Sequence, residues 1–489
     1  MRLINILQSA GGIIRLLSAA FIVPIIVAML YREWGNIAGF VIGGVISFGI
    51  GQVLVSLSHD TEADLRRIEA LAVVAGSWLA LAFLCAVPYL WSGFSVINAL
   101  FESMSGITAT GATIITDFET PPRSLFFWRA ITQWLGGMGV ITLVVAVLPR
   151  LSVGVRQLFV VETTAGPTEE KLAPQVRRTA ISLWRLYTAL TATLAVLLMI
   201  VGMPAYDALC HAMTTLAAGG FSPNAQSIMG YNSAIIEWII CFFMFLAGAN
   251  FALQYRVLLG RPLVLFRDHE FKTYIGIIVV AVVALSLLLW HREGDTAPIR
   301  HAVFQTLSII TTTGYASVDF GLWTDQTKVV LLGLMFIGGC AGSAAGGPKV
   351  LRHMLMSRFT LVGLRRMLHP RAVLPVKLGS IVVPESVIRS VLLFFFFYIL
   401  TFAVCVVVVI SLGEDLETGI TATFGALGNI GPGLGAVGPM LNYEEIHSVS
   451  KIVLIVAMWI GRLEIVTVLA LLRLEVWTNS HWRGIVDRQ

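Results

Sequence analysis

The chain has 489 residues, of which 57% are hydrophobic and 12% charged, with a formal net charge of +5. Length alone would fit about three soluble domains, but a mean hydropathy of +0.85 excludes a water-soluble core and makes this a polytopic membrane protein. The positive charge gathers in particular loops beside apolar segments, so it points to a membrane orientation signal and not to nucleic acid.

Apolar stretches long enough to cross a bilayer, about 20 residues each, occur at 12–30, 35–57, 70–91, 129–148, 181–201, 235–253, 274–290, 329–347, 388–412 and 452–472. The first has no small-residue cleavage site, which predicts a retained helix. Loops rich in Lys and Arg, at 149–178, 255–272, 349–389 and the tail 473–488, are expected in the cytoplasm by the positive-inside rule. Intervening loops carry Asp117, Asp207, Asp319, Glu414 and other acids, and are expected outside. An even number of spans then puts both termini in the cytoplasm. Lys328, Lys451 and Arg15 read as residues snorkelling at the interface, and Asp207 as an N-cap. The five cysteines, Cys85, Cys210, Cys241, Cys340 and Cys405, stand singly among apolar or small residues and read as buried hydrophobes.

After the first two spans, one pattern returns four times. The stretch SVINALFESMSGITATGAT at 95–113 reads as a short amphipathic helix closed by a tight turn on Gly111, and the later copies close on Gly220, Gly314 and Gly431. The expected organisation is an N-terminal hairpin at 1–66 and four repeats at 67–176, 177–270, 271–384 and 385–489, each running long helix, short helix with glycine turn, long helix. The fold class is therefore an all-α polytopic membrane protein with pseudo-four-fold symmetry. A half-crossing segment is tolerated at membrane depth only when buried in protein or lining a watery cavity. Four of them meeting on one axis meet that condition and define a pore.

A cation in such a pore trades its water shell for backbone carbonyls, and glycine lets consecutive carbonyls turn toward the axis. The expected filter comprises Ala109, Thr110 and Gly111, then Ala218, Gly219 and Gly220, then Thr312, Thr313 and Gly314, and finally Asn429, Ile430 and Gly431. Its ligands are the carbonyls of Thr110, Gly111, Gly219, Gly220, Thr313, Gly314, Ile430 and Gly431. Hydroxyls of Thr108, Thr110, Thr113 and Thr311 to Thr313 either join them or brace the turns.

Two further oddities lie lower in the chain. The stretch FIGGCAGSAAGG at 336–347 carries Gly338, Gly339, Gly342, Ser343, Gly346 and Gly347 inside an apolar run. Small residues every four places suit close helix packing, whereas glycine costs a helix roughly 1 kcal/mol each and favours unwinding into a loop. Arg462 sits mid-span, and an intramembrane arginine is costly enough to count as a functional candidate. No HExxH or GxxxxGK[ST] pattern exists, so an enzyme, and an ATPase in particular, is not expected.

Together the four glycine turns, QWLGGMGVI at 133–141, AGGFS at 218–222, FIGGCAGS at 336–343, GPGLG at 431–435 and GRLE at 461–464 resemble the TrkH family, within the superfamily that also holds the Ktr and plant HKT transporters. The resemblance spans essentially the whole chain. It implies potassium as the transported ion, no cofactor on this chain, and a bacterial inner-membrane location. It also implies a homodimer with one pore per subunit and a separate cytoplasmic nucleotide-binding regulator resembling TrkA, for which the basic segment 349–389 is the expected docking surface. In the relatives the glycine-rich stretch is a gate loop, which makes its residues and Arg462 the expected gate. Gly111, where sodium-preferring plant relatives have serine, goes with potassium. A sodium-preferring or poorly selective member of the same superfamily, or a cation symporter, is the alternative.

Overall fold

The computed structural model describes residues 3–57, 67–147, 172–290, 297–379, 381–463 and 465–471. An N-terminal hairpin is built from α1 (Leu3–Ser18), α2 (Ile22–Leu30) and α3 (Trp34–Ser56). Its arms meet through glycine: a methyl group on Gly51 would lie 2.7 Å from the Arg15 backbone nitrogen, and one on Gly11 would lie 2.6 Å from Leu54 Cβ. Small residues allow such close backbone approach in a bilayer.

The rest of the chain follows a recurring order. First come α4 (Arg67–Cys85), α5 (Val87–Trp91), the short α6 (Val96–Ile107) and α7 (Arg123–Val147). Next are α8 (Leu172–Ile200), the short α9 (Ala205–Leu216), α10 (Ala234–Gly248), α11 (Phe251–Leu258) and α12 (Leu263–Arg267). They are followed by α13 (His269–Trp290), the short α14 (Pro298–Ile310), α15 (Asp325–Met335) and α16 (Val350–Leu368). A tight antiparallel hairpin of β1 (Lys377–Leu378) and β2 (Ile381–Val382) pairs Lys377 with Val382. The chain then continues through α17 (Glu385–Ser411), the short α18 (Leu416–Leu427), α19 (Ser448–Leu463) and α20 (Ile465–Leu471).

The four short helices have 12 or 13 residues, about 18 to 20 Å at 1.5 Å per residue, against a hydrocarbon core of about 30 Å. Their starts are set locally. Ser95 Oγ accepts the Asn98 N–H at 3.3 Å, and Asp415 accepts the Thr418 N–H at 3.1 Å. The Thr418 hydroxyl helps to hold the Asp415 carboxyl below its ordinary value, so this cap stabilises above the unfolded carboxylate range and is lost as pH falls through the lowered value. The α9 helix is capped differently from expectation. Pro204 holds the N-cap position and Asp207 lies inside the first turn.

Ten spans were expected, and among the described residues six helices are long and apolar enough to cross a bilayer, or seven if the bent pair α10–α11 counts as one. The differences have local causes. The expected span 329–347 is helical only to Met335, after which the backbone unwinds. The span 235–253 bends by 106°, because Ala249 is extended and the Asn250 side chain starts a new helix by accepting the N–H groups of Ala252 and Leu253 at 2.8 and 3.2 Å. Within the span 452–472 the described residues are helical, in α19 and α20, and the span 129–148 falls within α7 up to Val147. Of the features singled out in the sequence, 149–171 of the first basic loop, the tail 473–488, Glu464 of the GRLE stretch and, among the other outer-loop acids, Asp295 lie outside the described residues. All five cysteines are buried and free.

Candidate ion pathway

The four short helices end in the same way. At the first, the Ala109 N–H donates to the Gly106 carbonyl at 2.9 Å and the Thr110 N–H to the Ser105 carbonyl at 2.8 Å. The same pair of bonds recurs from Ala218 and Gly219, from Thr312 and Thr313, and from Asn429 and Ile430. This is the Schellman arrangement, which needs a left-handed residue just past the helix. Ala109, Ala218, Thr312 and Asn429 have φ of 51°, 54°, 57° and 52°. Three of them are neither glycine nor asparagine, and each such residue costs roughly 1–2 kcal/mol. Two places on, Gly111, Gly220, Gly314 and Gly431 have φ of 89°, 76°, 77° and 94°.

Every expected filter residue lies in one of these turns, and the turns touch in a ring. A methyl group on Gly111 would collide with the Gly219 carbonyl oxygen, one on Gly220 with that of Thr313, and one on Gly314 with that of Ile430. On Gly431 it would lie 2.7 Å from the Thr110 carbonyl oxygen, which closes the circle. Each glycine thus faces the same carbonyl position of the next turn, and no side chain fits between neighbours.

Behind the ring stands a buried polar frame that the sequence did not disclose. Arg129 on α7 pairs with Glu102 on α6 at 2.7 Å, with side chains 2% and 0% exposed. Arg129 also donates to Thr113 Oγ1 at 3.0 Å and to the Ser222 carbonyl at 3.2 Å, and its guanidinium lies 4.0 Å from the centre of the Phe221 ring. Glu102 further accepts the Ile114 N–H at 3.0 Å. The signal was the one charged residue of the short helix, a glutamate, and an arginine at the mouth of a span, charges expected to find a partner. Gln133 braces the second turn by donating to the Gly219 carbonyl at 2.6 Å and accepting the Phe221 N–H at 3.1 Å. Tyr443 donates to the Gly431 carbonyl at 2.7 Å. The threonine hydroxyls brace as well: Thr108 bonds Thr110 at 2.7 Å, and Thr311 bonds Thr313 at 2.8 Å. Asn429 reaches across to Thr110 Oγ1 at 2.9 Å.

Further out, the helix that follows each of three turns clasps the short helix of the next unit. Glu237 on α10 pairs with Arg300 on α14 at 2.9 Å, and Lys328 on α15 pairs with Glu417 on α18 at 3.1 Å. Lys451 on α19 donates to Asn98 Oδ1 of α6 at 2.9 Å and to the Glu444 carbonyl at 2.6 Å. Lys451 is therefore buried in a polar clasp and does not snorkel, and Lys328 belongs to the same kind of contact. Arg15 bonds Gln52 within the N-terminal hairpin.

Below the ring, 336–347 is irregular backbone with Gly338, Gly342 and Gly347 at φ of 81°, 75° and 71°. The helix-packing alternative does not apply, since no helix exists there. The loop is tied in by backbone bonds to the broken end of α10. Cys340 N–H donates to the Gly248 carbonyl at 2.9 Å, Ala344 N–H to that of Ala247 at 3.1 Å, and Phe251 N–H to the Gly342 carbonyl at 3.1 Å. Opening α10 exposes carbonyls that the loop then satisfies, as a buried backbone requires. Gly339 has no room for a side chain against Ala345, and Ser343 Oγ donates back to the Cys340 carbonyl at 2.6 Å. The Gly346 N–H donates to Thr312 Oγ1 at 2.6 Å, so the loop hangs directly from the third turn. Arg462 is buried and donates to the Ala344 carbonyl at 3.0 Å. Its Nε and Nη2 find no partner among the described residues.

Comparison with known proteins gives one consistent result. Residues 36–482 match the family described as TrkH, cation transport protein. The chain is 36% identical to the Trk system potassium uptake protein TrkH of Salmonella typhimurium, covering 98% of this chain and 99% of that one. To the Trk system potassium uptake protein TrkG of Escherichia coli it is 32% identical over 97% of both chains. The crystal structure of the potassium transporter TrkH from Vibrio parahaemolyticus superposes with a TM-score of 0.89 at 35% identity, over 98% of this chain and 100% of that one. The chain belongs to the TrkH family.

Proposed function

We propose that this chain carries potassium into a bacterial cell across the inner membrane, down its electrochemical gradient, through the ring formed by the four glycine turns. The observation that carries this reading is the cyclic approach of each turn's glycine to the carbonyl of the next, at Gly219, Thr313, Ile430 and Thr110. Four equivalent backbone carbonyls in a closed ring of turns, without side chains between them, suit a dehydrated cation. About 2.3 kcal/mol per 100 mV of membrane potential favours inward movement of one positive charge. The chain is a transporter and not an enzyme, with K+ as cargo and no cofactor of its own. Uptake of potassium against sodium in proteoliposomes of the purified protein tests the reading. Faster sodium uptake would favour the alternative of a sodium-preferring or poorly selective transporter, to which the chemical inequality of the four turns lends some support.

In this reading 336–347 and Arg462 close the path. The unsatisfied nitrogens of Arg462 suit a hydrated cavity, and its charge opposes a cation leaving the ring by roughly 4 kcal/mol at about 4 Å and intermediate dielectric. Arg462→Ala, and separately a deletion within 339–345, are expected to raise potassium flux by about tenfold or more, the factor that corresponds to about 1.4 kcal/mol. Wild-type or lower flux from normally inserted variants would reduce Arg462 to a packing role.

The ring side faces outward and both termini lie in the cytoplasm. Asp117→Cys is expected to react with an impermeant thiol reagent from outside, and labelling from inside alone would reverse the orientation. Control comes from a separate cytoplasmic nucleotide-binding subunit resembling TrkA that docks on 349–389, and two copies of the chain form a dimer with a pore in each. Arg365 and Arg371 are the residues to neutralise when docking is measured, because Arg366 also donates to the Leu374 carbonyl at 2.6 Å and folds the segment on itself.

A further inference from the structure

The loop below the ring is fastened at its far end by a residue outside all the repeated motifs. Glu270 is the second residue of α13 and is buried. Its Oε1 accepts two backbone N–H groups, from Ala341 in the loop at 2.7 Å and from Leu351 in the first turn of α16 at 3.1 Å. One carboxylate oxygen therefore ties the loop to the start of the cytoplasmic helix. Asp268 fixes the turn that carries Glu270 by accepting the Phe271 N–H at 2.7 Å.

Two other features converge on this point. Lys349, where α16 begins, has a left-handed φ of 75° that disfavours any residue with a side chain, and its Nζ donates to the Ala345 carbonyl. Such strain persists only where surrounding contacts impose it. The β1–β2 hairpin also rests on the residue next to Glu270, since a methyl group on Gly379 would lie 2.6 Å from His269 Nε2. Loop and α16 thus meet at one carboxylate of α13, with the hairpin against the neighbouring His269.

We infer that Glu270 is the positioning residue that holds the loop shut, by fixing Ala341 and Leu351 to one oxygen so that the loop leaves the path only when α16 separates from α13. Each of the two bonds satisfies a backbone N–H, and a buried N–H left without a partner is costly. The two bonds therefore break together, when a rearrangement supplies new partners, which makes the contact a two-state element and not a gradual one. The inference rests on the loop acting as the gate, as proposed above.

The test uses the full-length protein in proteoliposomes, with potassium flux and the thiol labelling rate of Cys340 as readouts. Cys340 precedes Ala341 and is buried, so its labelling, followed by peptide mass, reports loop release independently of transport. Glu270→Ala is expected to raise both by about tenfold, the factor corresponding to about 1.4 kcal/mol, with the preference for potassium over sodium unchanged. Glu270→Gln, which keeps an acceptor oxygen but not the charge, is expected to raise both by less. Wild-type flux and labelling in inserted Glu270→Ala overturn the inference. If that variant does not insert, Glu270→Gln decides alone, and wild-type values from it overturn the inference too. The deletion within 339–345 separates the two levels: unchanged flux there removes the gate itself, whereas raised flux with both Glu270 variants at wild type removes only Glu270.

Discussion

Gly220→Ala and Gly314→Ala are expected to lower potassium uptake by about a hundredfold or more relative to the amount of inserted protein, a factor that corresponds to roughly 2.7 kcal/mol. Two costs combine. Alanine at φ of 76° or 77° costs roughly 1–2 kcal/mol by itself. The added methyl also overlaps the Thr313 or Ile430 carbonyl oxygen, and the obstacle is backbone, which cannot step aside as a flexible side chain can. Relief requires displacing a carbonyl of the ring. Gly111→Ala and Gly111→Ser should follow closely, because the Gly219 carbonyl is nearly as near, and the serine variant should in addition shift preference toward sodium. Gly431→Ala should be mildest, since 2.7 Å separates its methyl from the Thr110 carbonyl. Uptake in proteoliposomes gives the order, and Gly431→Ala as the most damaging of the four would contradict the ring geometry.

Arg129→Ala is expected to be among the most destabilising single changes, at about 3–5 kcal/mol, because it leaves the Glu102 carboxylate buried without its cation. The loss should show as a large fall in the thermal midpoint of the detergent-solubilised protein and as poor accumulation in membranes. Glu102→Gln should cost less, since the amide still accepts from Ile114 or Thr113. Combined with Arg129→Gln it should recover part of the stability, the signature of two residues that act on each other. Strict additivity would mean that the pair is not a unit. Uptake by whatever protein survives should fall as well, because Arg129 joins the first turn to the Ser222 carbonyl of the second.

The glycines that close the four turns were legible because each stands at the end of a short run of helix-forming residues between apolar spans. The residues two places earlier were not recognisable as left-handed. Nothing in Ala109, Ala218 or Thr312 announces positive φ, and tertiary contacts impose it. Unwinding at 336–347 could be expected from its glycines, but the break at Ala249 could not be seen in hydropathy, since LAGANFAL reads as apolar. Gly248 followed by Asn250 was the available clue, a helix end and a new cap in succession. Glu102, Arg129 and Glu270 escaped because their partners are distant along the chain or are backbone groups. In the sequence Glu270 looks like a solvated charge beside Arg267 and Lys272. The β1–β2 hairpin is too short to leave a periodic pattern.

The Gln133 amide holds the Gly219 carbonyl, and among the described residues no comparable side-chain donor reaches those of Thr110, Thr313 or Ile430. Under the proposed pathway, the four corners are therefore held by different means: an amide grips the second carbonyl itself, whereas the other turns are steadied through hydroxyls, Asn429 and the neighbouring Gly431 carbonyl. A ring built of unlike corners has no four-fold mechanical symmetry, however closely its backbone repeats.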